Sequence, residues 1–147
     1  MIQILFNYYI QKKYYFCIVM KMKNTKKDEP KEWKIVLYET ETGRCPVNNF
    51  INTLDEEDKQ DMLKGIQYLK SVGNNIRRPH GDILRDKIYE LRITLKNNIT
   101  RTLFFFYNAD NEIVLTHAFN KKTDKVPDKE IEKAIKYRKQ YLQNKNK

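Results

Sequence analysis

Residues 87–122 read KIYELRITLKNNITRTLFFFYNADNEIVLTHAFNKK, with three apolar segments separated by two short polar ones. The first segment alternates between apolar and polar side chains, which is the period of a half-buried strand. Its apolar face comprises Tyr89, Leu91, Ile93 and Leu95. The second segment, TRTLFFFYN, is apolar on both faces beyond Arg101, as expected of a central strand. Because short turns join the three segments, the stretch predicts an antiparallel meander.

The residues before the meander predict one more strand and two helices. WKIVLYET, residues 33–40, alternates well enough for a strand. Apolar residues fall at helical spacing between residues 46 and 72, and the acidic run at residues 55–58 resembles the first turn of a new helix. We therefore expect two helices that divide near Leu54. GNNIRRPHGDILRD, residues 73–86, is rich in turn residues and predicts a loop.

The residues after the meander predict a helix that follows Pro127 and carries one apolar stripe. The stripe comprises Ile131, Ala134, Ile135, Arg138 and Leu142. The whole order predicts an α+β domain. Its small antiparallel sheet is expected to contain the N-terminal strand plus the three-strand meander, with two N-terminal helices and a C-terminal helix.

The chain of 147 residues is long enough for one domain with a single core. We expect the compact domain over residues 31–147. Residues 1–30 are expected to be an appendage and linker outside the fold, or the product of a start codon placed too far upstream. Polar residues interrupt the apolar opening, so it has no continuous span near twenty residues, and no small-residue cleavage site follows it. We expect no membrane association.

The two cysteines are too few for a disulfide framework or a structural zinc site. A reducing cytoplasm is therefore the expected compartment.

Positive charge is concentrated at the C-terminal end. The chain has 29 Lys and Arg against 19 Asp and Glu, for a formal net charge of +10. From residue 121 onward there are ten basic residues against four acidic ones, so this segment supplies +6. A basic surface favours polyanions such as RNA or DNA, acidic proteins or anionic lipid. A proteome with generally basic protein surfaces is an equally good explanation of charge alone.

Four cations are predicted to converge on one surface of the sheet. Alternation places Arg92 with Glu90 on the polar face of the first meander strand, and Arg101 opens the neighbouring strand after a short turn. Lys121 and Lys122 end the third strand. Two adjacent arginines repel unless an anion or a carboxylate lies between them. The commoner role of a strand arginine is an ion pair with a carboxylate, while the convergence suits phosphate.

The two histidines are weaker candidates. His117 shares its predicted strand face with Leu115 and Phe119, which indicates a packed, hydrogen-bonded core residue. His80 lies in the predicted loop, where catalysis is the less common role. The sequence contains no Ser/His/Asp set, no Gly-rich phosphate loop and no metal-ligand cluster, so we expect neither a metal nor another cofactor.

Three motifs carry a resemblance to a known family. IYELRI, TRTLFFFY and IVLTHAFNKKTDKVPDKEIEKA resemble the phage-derived, HigB-like branch of the RelE toxin superfamily. The family pattern is a Y-E-L-R strand, an Arg-led apolar strand, and a strand ending in F-x-K-K-T before a P-x-x-E-I-x-x-A helix. The similarity covers about residues 33–142. Val126 departs from it, because Thr is usual at that position and caps the helix.

The resemblance implies the toxin of a type II toxin–antitoxin pair that cleaves mRNA in the ribosomal A site. It implies metal-independent attack of the RNA 2′-hydroxyl on the adjacent phosphate, and a cognate helix-turn-helix antitoxin as partner. It also implies roles for particular residues. Matching positions give Arg92 and Arg101 as phosphate clamps, Lys121 and Lys122 as transition-state cations, Tyr89 or Tyr107 as base-stacking residues, and His80 and Arg85 as further RNA contacts.

Two other functions are compatible with the sequence. Toxins resembling ParE share the expected architecture but inhibit gyrase without cleaving RNA. A non-enzymatic nucleic-acid-binding module needs only the basic C-terminal segment. The F-x-K-K-T ending favours the nuclease.

Overall fold

The computed structural model describes residues 32–147, and the expected appendage of residues 1–30 lies outside this part of the chain. Within the described residues, five strands and three α-helices form one α+β unit. The elements are β1 (Lys34–Leu37), α1 (Pro46–Asn52), α2 (Glu56–Val72), β2 (Gly81–Ile83), β3 (Tyr89–Thr94), β4 (Ile99–Tyr107), β5 (Glu112–Asn120) and α3 (Asp128–Lys145). The predicted α+β class and its meander are confirmed.

The strands form one sheet in the order β1-β5-β4-β3-β2. Strands β3, β4 and β5 are the antiparallel meander, and β4 lies at the centre of the sheet. In the register of β3 and β4, Arg92 lies directly opposite Arg101. The register therefore brings together two of the cations that the sequence analysis singled out.

The sheet differs from the prediction in the direction of β1. This strand pairs in parallel with β5, with Lys34 opposite Glu112, so the sheet is mixed and not wholly antiparallel. A parallel pair needs a long crossover connection, and here the crossover includes both α1 and α2. Alternation within residues 33–40 identifies a strand but carries no information about its direction.

The second difference is β2, which lies inside the predicted loop. It pairs with β3 through a tight turn in which the Leu84 amide donates to the Ile88 carbonyl at 2.8 Å. Asp86 and Lys87, the central turn residues, have φ values of 55° and 62°. Two consecutive residues with positive φ in a hairpin turn are usually Asn-Gly or Asp-Gly. Neither dipeptide is present, and a strand of three residues has too few positions to show alternation.

The helices cover both faces of the sheet. Helices α1 and α2 pack on one face over Val47, Met62, Ile66 and Leu69, with Leu91, Phe104 and Leu115 from the strands. Helix α3 packs on the other face, where Ile131 and Ala134 meet Leu103, Phe105 and Val114. Burial on both faces explains why TRTLFFFYN lacks alternation.

The helix starts follow the sequence signals. Asp55 is the N-cap of α2, where its side chain accepts a hydrogen bond from the Asp58 amide at 2.9 Å. Pro127 is the N-cap of α3 and supplies no side-chain hydrogen bond. Val126, the residue before this N-cap, is 4% exposed and packs in the apolar layer under α3.

No helix in residues 32–147 combines the length and the hydropathy needed to span a bilayer.

Candidate active site

A buried carboxylate lies between the two arginines that face each other on β3 and β4. The Glu90 side chain is 2% exposed, and one of its oxygens, Oε1, accepts a hydrogen bond from Arg92 Nε at 2.9 Å. Its other oxygen, Oε2, lies 3.2 Å from Arg101 Nε, within ion-pair distance but without hydrogen-bond geometry. Two guanidiniums this close need an anion or a carboxylate between them, and the structure places Glu90 there.

The charge network extends from Arg92 to the edge of the sheet. Arg92 Nη2 lies 3.8 Å from Asp82 on β2, and Asp82 accepts a hydrogen bond from Arg78 Nε at 2.7 Å. The hydrogen bond from Arg78 is the main reason that the pKa of Asp82 lies below its ordinary value. Within this network of described residues, three guanidiniums share two carboxylates, so its net charge is positive.

Arg101 connects this network to the loop that follows β5. Its side chain is 2% exposed, and Nη2 donates a hydrogen bond to the Asp124 carbonyl. Its Nη1 atom is buried without a hydrogen-bond partner among the described residues. Lys121 Nζ lies 2.9 Å from the Asp124 carboxylate, and this contact lowers the pKa of Asp124. Asp124 therefore fixes the loop from both sides, through its carbonyl and its carboxylate.

A cleft of about 460 Å³ opens between the end of β5 and the start of α3. The charged side chains that line it are Arg101, Lys122, Lys129 and Glu130. Lys122 and Lys129 are exposed, and neither has a carboxylate within 4 Å among residues 32–147. The adjacent lysines therefore differ: Lys121 is neutralised by Asp124, while Lys122 presents a free charge to the cleft.

His117 is a buried residue that forms a hydrogen bond with Glu130 of the cleft. The imidazole is 2% exposed, and its Nε2 lies 2.9 Å from Glu130 Oε2. Burial, and secondarily the charge of Lys133, lower the pKa of His117 to about 4, against the opposing effect of Glu130. The ring is therefore neutral at pH 7.

The prediction that His117 is a buried, hydrogen-bonded residue is confirmed, and so is the strand face that it was predicted to share with Phe119, but it does not share this face with Leu115. Leu115 contacts the layer beneath α1 and α2, whereas His117 contacts α3. The cause is a β-bulge: Leu103 is opposite His117, Phe104 is opposite Leu115, and Thr116 is the extra residue. One inserted residue moves every later side chain to the other face of the sheet.

The two predicted base-stacking tyrosines do not lie together. Tyr89 stacks on Phe104 with ring centroids 5.5 Å apart, on the face covered by α1 and α2. Tyr107 packs edge-on against Tyr141 of α3, on the opposite face. Neither tyrosine lines the cleft. Tyr89 instead lines a second concave surface with Arg78.

The other two predicted RNA contacts are also outside the cleft. Arg85 donates to Asp128 at 2.7 Å and to Glu132, which attaches the β2–β3 turn to α3. His80 is exposed, and its ring lies 4.9 Å from the ring of Tyr68. Of the eight residues that the sequence analysis proposed, the structure brings Arg92, Arg101, Lys121 and Lys122 into one neighbourhood.

Glu130 and Lys129 are members of this site that the sequence patterns do not indicate. Both belong to the first turns of α3, within the motif KVPDKEIEKA. Their spacing there is that of an ordinary charged helix start. Only the tertiary contact with β5 reveals that they face Arg101 and Lys122.

The mixed sheet, the helices on both faces and the cationic cleft define a small α+β protein with a candidate anion-binding site. A family model described as phage-derived protein Gp49-like (DUF891) matches residues 49–139. The chain belongs to this family, which is RelE-like and toxin-like. The match covers more than half of the chain and includes every charged residue of the cleft. No curated protein matches the chain.

The buried position of Arg101 predicts a large effect on stability. We expect Arg101→Ala to lower the free energy of unfolding by about 3–5 kcal/mol, because it leaves Glu90 buried beside an empty site. The matched control is Lys121→Ala, which removes an exposed ion pair and should cost less than about 1 kcal/mol. Urea denaturation of both variants tests the difference, and equal losses would contradict the buried pair.

The lowered pKa of His117 predicts a dependence of stability on pH. Below the ordinary histidine pKa of about 6.5, the unfolded chain binds a proton at His117, whereas the folded chain binds this proton only near pH 4. Stability should therefore fall as the pH drops from 6.5 to 4, with a contribution of at most about 1.4 kcal/mol per pH unit.

His117→Gln is the control for this effect, because glutamine does not titrate and retains an amide donor. Urea midpoints of both proteins, measured between pH 4 and pH 7, isolate the contribution of His117. Parallel curves for the wild type and the variant would exclude a depressed histidine pKa.

Proposed function

We propose that this protein is the HigB-like toxin of a type II toxin–antitoxin pair and a ribosome-dependent mRNA endoribonuclease. Membership of a toxin-like family supports the class. The observation that carries the proposal is the composition of the cleft. The unneutralised charges of Lys122 and Lys129 line it together with the buried guanidinium of Arg101. Such a surface suits a phosphate group that gains charge during a reaction.

The proposed reaction is attack of an RNA 2′-hydroxyl on the adjacent phosphate, with release of a free 5′-hydroxyl and formation of a cyclic phosphate. It requires in-line geometry, because the attacking and leaving oxygens lie on opposite sides of phosphorus. It also requires cations that stabilise the phosphorane more strongly than the ground-state diester. Lys122 and Arg101 are the proposed groups for this task.

Arg92 and Lys121 have indirect roles in this proposal. Arg92 does not line the cleft, but it shares the carboxylate of Glu90 with Arg101. Glu90 therefore neutralises the electrostatic field of Arg101 less completely than it would in an exclusive pair. Lys121 holds Asp124, whose carbonyl accepts from Arg101, and so positions the loop that carries Lys122.

The second concave surface is a candidate for the flanking RNA. Its volume is about 630 Å³, and Arg77, Arg78 and Tyr89 line it. An aromatic ring beside a guanidinium suits an unstacked base and its phosphate. His80 is next to this surface in sequence. Arg85 contributes least to RNA binding in this proposal, because its donors already hold two carboxylates.

The difference between the adjacent lysines provides the test of function. We expect Lys122→Ala to slow single-turnover cleavage of mRNA on programmed ribosomes by roughly a hundred- to a thousandfold, the usual loss for one preorganised electrostatic group. Because Lys122 is exposed and unpaired, the melting temperature of the Lys122→Ala variant should equal that of the wild type. Lys121→Ala is the matched comparison and should lose less activity, because Lys121 acts only by positioning the loop.

Primer extension on the same message distinguishes the competing functions. Wild-type protein that leaves ribosome-bound mRNA intact but blocks supercoiling by gyrase would be a ParE-like inhibitor. Wild-type protein that does neither would be a nucleic-acid-binding module. Equal cleavage by the wild type and Lys122→Ala would remove Lys122 from the mechanism.

The proposed partner is a helix-turn-helix antitoxin with an acidic segment that covers the cationic surface. Helix α3 carries a series of exposed lysines outside the apolar layer, namely Lys129, Lys133, Lys136 and Lys139. Charge complementarity of this kind accelerates association and is screened by salt. We expect the association rate with the antitoxin to fall by tenfold or more between low and physiological ionic strength.

Charge-removing variants test which surface is responsible. The double variant Lys136→Gln/Lys139→Gln should associate with the antitoxin more slowly at low salt. Lys64→Gln, at an exposed position of α2, should not change this rate. Stopped-flow measurements at several salt concentrations provide the rates. A rate that does not depend on salt would contradict an electrostatic encounter.

A further inference from the structure

The described residues that line the cleft include one carboxylate, and a carboxylate can act as a base. Among the described residues that line it, Glu130 supplies the only carboxylate, and the other charged groups are cations. The Glu130 side chain is 19% exposed, so it is neither buried in the core nor free in solvent. Its Oε2 atom is held by His117, and Oε1 has no hydrogen-bond partner within residues 32–147.

The residues behind Glu130 can accommodate a proton without losing a hydrogen bond. The Thr116 hydroxyl lies 3.1 Å from His117 Nδ1 and 2.9 Å from the Leu103 carbonyl oxygen. A hydroxyl can rotate between two such acceptors. When the imidazole is neutral and donates from Nε2 to Glu130, Thr116 can donate to Nδ1. When Glu130 gains a proton on Oε1, the neutral imidazole keeps both of these hydrogen bonds.

Both protonation states of the Glu130–His117 pair therefore have a complete set of hydrogen bonds. The charge of Lys133 on α3 acts on His117, and Arg101, Lys122 and Lys129 line the cleft beside Glu130.

We infer that Glu130 is the general base of the cleft and that His117 is its positioning residue. This inference rests on the proposed endoribonuclease function. Glu130 removes the proton from the 2′-hydroxyl as the 2′-oxygen bonds to phosphorus and the bond from phosphorus to the 5′-oxygen breaks. The leaving 5′-oxygen takes a proton from water, and the resulting hydroxide takes the proton from Glu130.

The isosteric variant Glu130→Gln tests the base. Its amide oxygen can still accept from His117 Nε2, but the side chain cannot take up a proton. We expect single-turnover cleavage to fall by roughly a hundred- to ten-thousandfold, the range of general acid–base catalysis, with ribosome binding and melting temperature retained. The matched control is Glu132→Gln, on the same helix but outside the cleft and paired with Arg85. It should cleave at the wild-type rate.

A modified message distinguishes a general base from a general acid. When sulfur replaces the bridging 5′-oxygen at the cleaved bond, the leaving group needs no proton. Glu130→Gln should remain as slow on this message, relative to the wild type, as on the normal one. Recovery of the wild-type rate would overturn the assignment as base, because it would make Glu130 the acid.

His117 has its own test, which a purely structural role would not pass. His117→Gln retains a donor at the position of Nε2 and should recover most of the cleavage that His117→Leu loses, when both variants are compared at temperatures where they are folded. Equal rates for the two variants would remove His117 from positioning.

The outcomes separate this inference from the proposed function. If the wild type and Glu130→Gln cleave within about threefold of each other, the inference fails and the endoribonuclease function stands. If the wild type does not cleave, both fail.

Discussion

The buried carboxylate of Glu90 is the interaction on which the rest of the site depends. The register of β3 and β4 places Arg92 directly opposite Arg101, and two guanidiniums so close in a poorly hydrated place need an anion between them. Glu90 supplies it from the same face of β3. The Arg101 fixed in this way also donates to the Asp124 carbonyl, so the position of the loop after β5 depends on a charge pair in the sheet.

Much of the fold follows from local patterns that the sequence displays. Alternation in YELRIT identifies the strand and also the face that Glu90 and Arg92 share, because both depend only on neighbouring residues. The parallel pairing of β1 depends on a crossover through two helices, and β2 depends on two non-glycine residues at positive φ. Neither of these determinants is a local pattern, so alternation and turn composition do not predict them.

The site is less predictable than the fold, because it depends on exceptions to periodicity. Thr116 is an extra residue in β5, and it moves His117 from the face of Leu115 to the face of α3. The two-residue alternation of a regular strand gives no indication of such a bulge. Glu130 illustrates the second difficulty: in sequence it is an acidic residue near a helix start, and it becomes part of a cleft only when α3 packs on β5.

The adjacent lysines illustrate how folding gives identical side chains different electrostatic surroundings. Lys121 and Lys122 have the same charge, but Asp124 neutralises the first, while the second lines the cleft unpaired. The pairing of Lys121 shapes the loop, and the loop directs Lys122. Arg101 contacts the same Asp124 and also pairs with Glu90. The position of Lys122 therefore depends on the Glu90 pair through Arg101 and Asp124. Stability and the positive potential of the cleft therefore have a common origin: a carboxylate shared by two arginines holds the loop in place and neutralises only part of their charge.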